Sequence, residues 1–215
     1  MTPSFDLTAL SLSPGRSNPC LAASAALLNP AELIALEQLS SALDAMAGSH
    51  PGQRARRLDI ALSHFAAQTD LASLLPRQHR GRDLTAIVAS SANAAPGYQR
   101  HLLLADPQGR YSAVAIVWEK DQYSPVHGHH TWCAYSVLHG ALSESRFDWC
   151  ETTQAAQLGA AAARLPHEVS YTDAGLGGIH RLGNPHPAAA ISLHVYGVSG
   201  ASVSTAVNHL VAVHS

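Results

Sequence analysis

The sequence carries little charge and few cysteines. Only 13% of its 215 residues are Asp, Glu, Lys or Arg, and the net charge is −2 with histidine neutral. A chain of this composition has no strongly basic face, so we expect no nucleic-acid partner. The three cysteines are odd in number and widely spaced, which excludes a disulfide framework of the kind that staples small secreted domains.

Long apolar runs are also missing. No stretch approaches the ~20 apolar residues that a membrane helix needs, and the start, MTPSFDLTAL, lacks the basic and apolar regions of a secretory leader. We therefore expect a soluble cytoplasmic protein with no membrane partner. A hydrophobic content of 47% is enough for a real core. The oligomeric state is not predicted by any of these features.

Histidine is the residue that the chain has in excess. Its 14 histidines outnumber the 13 lysines and arginines together, and three of them fall in the stretch SPVHGHHTWC. In an extended strand, residues i and i+2 point to the same side, so His127 and His129 share a face and His130 points away. Two such imidazoles can bind one metal, but they could equally be solvated in a surface hairpin, and this stretch alone does not decide.

The N-terminal third has helical periodicity after a loose lead-in over residues 1–29. In NPAELIALEQLSSALDAMAG, Asn29 is the predicted N-cap, Pro30 the first helical residue and Gly48 the terminator. RARRLDIALSHFAAQ predicts a second amphipathic helix in which His64 is partly exposed. The predicted buried residues of the two helices are Leu33, Leu36, Leu39, Leu43, Met46, Leu58, Ile60, Leu62 and Phe65.

From about Gly97 the sequence turns to short apolar runs separated by turn residues, which is typical of a β-barrel or sandwich. HLLLAD and RYSAVAIVWE flank the turn PQG and predict a hairpin. The stretch TTQAAQLGAAAARL has a helix-like composition, but its Gly159 and its strand-rich surroundings leave helix and strand both open. The predicted fold is mainly β, with a helical segment over residues 1–85 packed on a jelly-roll-like barrel over residues 86–215.

Two spaced motifs lie in the β-rich part. The first is His127-x-His129, then Cys133 after three residues and Gly140 after six more; the second places His180 between Gly177 and Asn184. In spacing and order they resemble the two motifs of the cupins, over roughly residues 85–215. The resemblance implies a cupin barrel with His127, His129 and His180 as metal ligands.

The first motif departs from most cupins, because Cys133 stands where they carry a glutamate ligand. Three histidines without a carboxylate resemble cysteine dioxygenase and other thiol dioxygenases of the bacterial type. YQRHLLLADPQGRYS resembles the strand whose arginine binds the substrate carboxylate in that family, which makes Arg100 the candidate, and the apolar strand after it favours a buried position. SLHVY resembles the Ser-x-His-x-Tyr triad of the family, and alternation puts Ser192, His194 and Tyr196 on one strand face.

The resemblance implies an iron-dependent dioxygenase with one Fe(II) per chain, which oxidises L-cysteine with O2 to cysteine sulfinic acid. Arg100 would hold the substrate carboxylate and Tyr196 would act near bound oxygen, with His194 orienting Tyr196 and Ser192 orienting His194. In some members a cysteine is joined covalently to the tyrosine. Cys133 lies in the corresponding stretch, but one residue closer to the histidines than in the animal form, so a thioether between Cys133 and Tyr196 stays open.

Two alternatives remain. Relatives that act on 3-mercaptopropionate or mercaptosuccinate often carry glutamine at the position of Arg100, and Gln99 is adjacent, so an alignment shift of one residue would reverse the choice. A non-catalytic metal-binding cupin has no use for the triad, which favours an enzyme.

Imidazole ligands also suit zinc, copper and nickel. Trp132 is predicted to pack beside the site, Cys20 and Cys150 have no assigned role, and the remaining histidines are predicted to be structural: His139, His167, His186, His209 and His214.

Overall fold

A computed structural model of the chain describes residues 28–47, 49–75 and 98–214. Most of the predicted lead-in, Cys20, the predicted helix terminator Gly48 and the predicted domain boundary at residue 85 lie outside the described residues, so the boundary stays a prediction. Among the helices that are described, none is long and apolar enough to span a membrane.

The first helix, α1 (Pro30–Ala47), begins as the sequence predicts. The side-chain oxygen of Asn29 accepts hydrogen bonds from the backbone N–H groups of Ala31 and Glu32, each at 3.0 Å. In return, the Glu32 carboxylate accepts the Asn29 N–H at 2.8 Å. Such a reciprocal pair satisfies N–H groups that a helix start leaves without partners, so the predicted N-cap is confirmed.

The second helix, α2 (Pro51–Gln68), begins three residues before the predicted stretch. His50 caps it, because its Nδ1 accepts the N–H of Gly52 at 3.2 Å. The prediction for Ile60 is wrong, since that side chain is 59% exposed. Ile60 lies two residues from each of its apolar neighbours, which places it on the opposite side of the helix. His64 is exposed, and the rest of the predicted stripe is buried: Leu58, Leu62 and Phe65.

In the described part of the chain, the strands form two antiparallel sheets of five. Sheet one has the order β1 (Gln99–Ala105), β2 (Ser112–Trp118), β9 (Ala190–Tyr196), β4 (Cys133–His139), β7 (Val169–Thr172). Sheet two has the order β10 (Asn208–Leu210), β3 (His127–His129), β8 (Gly175–Gly183), β5 (Leu142–Cys150), β6 (Ala155–Arg164). The predicted mainly β, jelly-roll-like fold is confirmed, as a sandwich of two facing sheets rather than one closed barrel.

The central strands of sheet one, β2, β9 and β4, are buried on both faces. Along β2, Ala113, Ala115 and Val117 belong to the core that includes the two helices. The alternate residues Val114 and Ile116 belong to a second core, between the two sheets, as does Trp118. A central strand covered on both sides reads as a nearly continuous apolar run, which is the pattern of the β2 sequence SAVAIVW. The helices therefore cover the face of sheet one that points away from sheet two.

The predicted hairpin joins β1 to β2, with Gly109 at φ +73° in its turn. Arg110 forms a paired contact with the buried Asp106, through Nε at 2.6 Å and Nη2 at 2.9 Å. The same Nη2 reaches Asp44 of α1 at 2.6 Å, which ties the hairpin to the helices. The hydrogen bond from Arg110 lowers the pKa of Asp106 to about 2.

The stretch that the sequence left open between helix and strand forms the strand β6, which pairs with β5 along its whole length. Alanine favours helices only weakly, by a few tenths of a kcal/mol per residue over most residues, and Gly159 offsets part of that preference. The hydrogen bonds to β5 outweigh this helical preference. They extend from the pair Leu142 and Arg164 to the pair Cys150 and Ala155.

Candidate metal centre

The pairing of β3 with β8 brings three predicted ligands together. His127 lies directly opposite His180 in the ladder. His129 follows two residues later, across an irregularity in the register. One ring nitrogen from each histidine lies within 4.8 Å of the others, and all three residues are buried. The structure therefore places these histidines as a group that could hold a metal ion.

Close backbone packing explains the glycine between the first two histidines. A Cβ atom at Gly128 would lie 2.6 Å from the carbonyl oxygen of Gly175. Real Cβ atoms do not approach a backbone oxygen so closely, so a side chain at this position would force β3 away from β8. Gly128 thereby keeps His127 and His129 next to His180.

Burial keeps the rings of His127 and His129 neutral. It lowers the pKa of His127 to about 4, with a further contribution from the charge of His180. It lowers the pKa of His129 to about 2 in the same way. Neutral imidazole is the form that binds metals, so these two rings are ready for a metal at neutral pH without losing a proton.

The hydrogen bonds of the histidine rings are also compatible with metal binding. His127 donates from Nδ1 to the carbonyl oxygen of Pro125 at 2.9 Å, and His180 donates from Nδ1 to Glu144 at 2.8 Å. Both contacts leave Nε2 free to bind an ion. The buried Nδ1 of His129 has no hydrogen-bond partner among the described residues. Three imidazoles held in this way suit a divalent transition metal without selecting one.

His130 lies outside this group, as alternation along the strand predicts. Its side chain is exposed, and its ring stacks on that of His209 with the centroids 4.7 Å apart and the planes 12° apart.

The polar side chains of β9 face the histidines from sheet one. Trp118 donates from Nε1 to the hydroxyl oxygen of Ser192 at 2.8 Å, and that hydroxyl lies 2.9 Å from Nε2 of His194. Because Ser192 already accepts from the indole, its own hydrogen is free to point at His194. Burial holds the pKa of His194 well below its usual value, so this ring is neutral. Sequence reasoning missed Trp118, because nothing in the local sequence relates it to Ser192, which is 74 residues away.

Tyr196 contacts His194 by stacking. Their ring centroids are 5.8 Å apart and their planes 23° apart, while Tyr135 stacks on His194 at 5.2 Å. Burial raises the pKa of Tyr196 well above its usual value, and the neighbouring Cys133 adds to the effect. The phenol therefore keeps its proton at neutral pH.

Cys133 lies directly opposite Tyr196 in the pairing of β4 with β9. The Cβ atoms of directly opposed residues lie about 4.5–5.5 Å apart, on the same face of the sheet. The thiol is buried, which raises its pKa, so it is protonated as well. The two residues line different cavities, since Tyr196 borders the larger one and Cys133 a smaller one.

The larger cavity, of about 320 Å³, is lined by Tyr98, Arg100 and Tyr196 together with residues of the C-terminal segment. Arg100 is exposed, so the predicted buried position is wrong. The residue lies near the start of β1, which is at the edge of the described sheet. Its guanidinium donates to the Tyr98 hydroxyl at 2.8 Å and lies over the Tyr98 ring. Sequence reasoning missed Tyr98, although it stands two residues before Arg100 and so shares its face.

The register of β1 places Arg100 and its neighbour Gln99 on opposite faces of sheet one. Arg100 pairs with Ile116, which belongs to the core between the sheets. Gln99 pairs with Val117, which belongs to the core on the helix side. Directly paired residues point to the same side, so Arg100 rather than Gln99 is on the face of the metal centre.

The smaller cavity, of about 200 Å³, borders His180. Its lining also includes Cys133, Tyr135, Glu144 and Arg146. Burial alone would raise the pKa of Glu144, but the hydrogen bonds and charges of His180 and Arg164 hold it at about 2. Glu144 was missed by sequence reasoning, because nothing in the local sequence relates it to a histidine on another strand.

A histidine cluster between the two sheets of a jelly-roll-like sandwich defines a metal-binding protein of the cupin type. The family model of cysteine dioxygenase type I matches residues 91–201, which is more than half of the chain. The chain belongs to this family. It is thus a thiol dioxygenase-type enzyme with a cupin fold, and the family match does not fix which thiol it oxidises.

Solved cupin structures are similar only distantly. A Cupin 2 conserved barrel domain protein from Salinispora arenicola is 19% identical, with 54% of this chain and 89% of that one covered and a TM-score of 0.38. A cupin superfamily protein from Desulfitobacterium hafniense is 12% identical, with 49% and 82% covered and a TM-score of 0.37. Likeness at this level supports no conclusion about function.

Replacing any one of His127, His129 or His180 by alanine should remove metal binding, because two imidazoles leave a divalent ion with too few protein ligands. The measurement is metal content after gel filtration, compared with the His130→Ala protein as the matched control. The control should keep its metal, since His130 points away from the cluster. Full metal content in His180→Ala would contradict the assignment.

Proposed function

We propose that this protein is an iron-dependent cysteine dioxygenase, which converts L-cysteine and O2 to cysteine sulfinic acid. Both oxygen atoms end on the sulfur and the thiol hydrogen is kept on the product acid, so the reaction needs no other reductant. The observation that carries the proposal is that three buried histidines of sheet two face the polar side chains of β9 in sheet one, with Arg100 on the same face of sheet one as those side chains. The family match supports the chemistry.

The proposed ligands of one Fe(II) per chain are His127, His129 and His180. When bound, a ferrous ion would supply the attraction for the thiolate and the activation of dioxygen. The protein contributes three uncharged donors, which leave the positive charge of the ion undiminished for an anionic sulfur. It also holds the rings in a buried place where charge interactions are stronger than in water.

Arg100 is the proposed binding group for the substrate carboxylate. A guanidinium can bind a carboxylate through two parallel hydrogen bonds, which fixes direction as well as distance. Tyr98 supports this role, since its hydroxyl accepts from the guanidinium and its ring lies beneath it. The position of Arg100 rather than Gln99 on this face favours cysteine over 3-mercaptopropionate or mercaptosuccinate, the thiols used by relatives with glutamine here.

On β9 the proposed active-site group is Tyr196, which borders the cavity of Arg100 and keeps its phenolic proton available for a hydrogen bond to the substrate. His194 holds the Tyr196 ring by stacking, and Ser192 fixes His194 through the hydrogen bond to its Nε2.

We further propose that the enzyme works in the cytoplasm, where the free thiols of Cys133 and Cys150 would stay reduced.

The experiment that tests the function is oxygen consumption by the iron-loaded protein with a panel of small thiols. L-Cysteine should give the largest kcat/KM, with one O2 consumed for each sulfinate detected by mass spectrometry. Faster turnover of 3-mercaptopropionate or mercaptosuccinate would reassign the substrate and keep the chemistry. No oxygen uptake with any thiol, in protein that holds its iron, would favour a non-catalytic cupin.

Replacing Arg100 by alanine should raise KM for L-cysteine by about ten- to hundredfold, because a charge-assisted hydrogen bond to the carboxylate is lost. Iron content should be unchanged. Gln99→Ala is the matched control, since that side chain lies on the helix side of the strand and should leave KM as it is. Cysteamine, which has no carboxylate, should be a poor substrate of the native enzyme and should lose little on Arg100→Ala. An unchanged KM for cysteine would move the carboxylate site elsewhere.

A thioether between Cys133 and Tyr196 is also proposed, because the two residues are directly paired across β4 and β9. Forming the C–S bond removes two hydrogen atoms, and the two electrons pass to dioxygen. Intact-protein mass spectrometry after aerobic turnover should show a loss of two mass units, which is absent from Cys133→Ala. Tyr196→Phe should also lack the loss, keep its iron and lose most of the rate. An unchanged mass would leave the pair as uncrosslinked neighbours.

A further inference from the structure

Glu144 is a carboxylate inside the core between the two sheets. It lies on β5 two residues after Leu142, on the same face, and only 2% of it is exposed. One of its oxygens, Oε1, accepts the Nδ1 hydrogen of His180 at 2.8 Å. A carboxylate that is moved from water into such a place costs several kcal/mol unless it is paired, so its contacts indicate why it is kept there.

The second oxygen of Glu144 is held separately by two arginines. Arg164 donates to Oε2 from Nε at 2.8 Å and also from Nη2. Arg146 donates to the same oxygen from Nε at 3.2 Å. With Oε2 fixed in this way, the carboxylate cannot turn, and Oε1 stays directed at His180.

The three histidines therefore differ in the group that their Nδ1 atoms contact. His127 has a neutral backbone carbonyl, the buried Nδ1 of His129 has no partner among the described residues, and His180 has an ionised carboxylate. An anion behind an imidazole fixes the tautomer, orients the ring and makes the opposite nitrogen a stronger donor.

We propose that Glu144 is the positioning residue of the metal centre: it fixes His180 with Nε2 towards the ion and makes it the strongest of the three ligands. Arg164 and Arg146 hold Glu144 in place for this purpose. The inference rests on the metal site of the proposed function, but not on the identity of the thiol. The competing explanation is that Glu144 serves only to join β5 to β6 through Arg164.

The test measures Co(II) binding by Glu144→Gln, in competition with a chelator and by the visible spectrum of the bound ion. Glutamine keeps the size of the side chain and can still accept a hydrogen bond, but it carries no charge. Co(II) affinity should fall by about 10- to 100-fold, and the spectrum should shift because one ligand has become a weaker donor. Asp106→Asn is the matched control, since it also neutralises a buried carboxylate paired with an arginine, but on the hairpin. It should bind Co(II) like the native protein.

The outcomes separate this inference from the proposed function. If the native protein does not bind Co(II), the metal site itself is wrong. If the native protein binds and Glu144→Gln binds equally well with the same spectrum, the metal site stands and the positioning role is wrong.

A second measurement needs no variant, in case Glu144→Gln does not fold. Nitrogen-15 NMR of the histidine rings in the native, Zn(II)-loaded protein should show His180 with its hydrogen on Nδ1, exchanging slowly with solvent. A hydrogen on Nε2 of His180 would overturn the inference directly.

Discussion

The metal centre depends on the short ladder between β3 and β8. His127 and His180 meet because they are directly paired there, and His129 joins them because it follows at the period of a strand. A shift of one residue would turn Gly128 and His130 inward and point both His127 and His129 away from His180. The contact of Gly128 with the backbone of Gly175 allows β3 to lie against β8 closely enough for the three ring nitrogens to meet. A few backbone contacts thus determine whether a metal site exists at all.

Sheet one places polar side chains of β9 opposite the three histidines, and no additional element is needed for them. On β9 the odd-numbered residues Ile191, Leu193 and Val195 pack against the helical side. The even-numbered Ser192 and His194 face the other way, towards the histidines. This division works only if the helices cover the outer face, since otherwise a row of large apolar side chains would meet water. The N-terminal helices therefore support the site although they contribute no residue to it.

Much of this arrangement could be predicted from the sequence, where a periodicity or a fixed spacing carried the information. The strand period put His127 and His129 on one face, and the capping residue Asn29 marked the start of α1. The exposure of Arg100 could not be predicted, because it depends on which strand lies at the edge of the sheet. Glu144 gave no signal, since its partner His180 is 36 residues away and they meet only through the pairing of β5 with β8.

The distribution of charge around the centre is consistent with an anionic substrate. Glu144 lies one imidazole away from the metal position, and an unpaired carboxylate there would repel a thiolate, strongly so in a buried place. Arg164 and Arg146 contact Oε2 of the same carboxylate and offset its charge at a distance, while Oε1 still acts directly on His180. On the other side, Arg100 carries a positive charge at the cavity that Tyr196 borders. An anionic group in this cavity would therefore be drawn towards Arg100, while the carboxylate of Glu144 is screened by its own arginines.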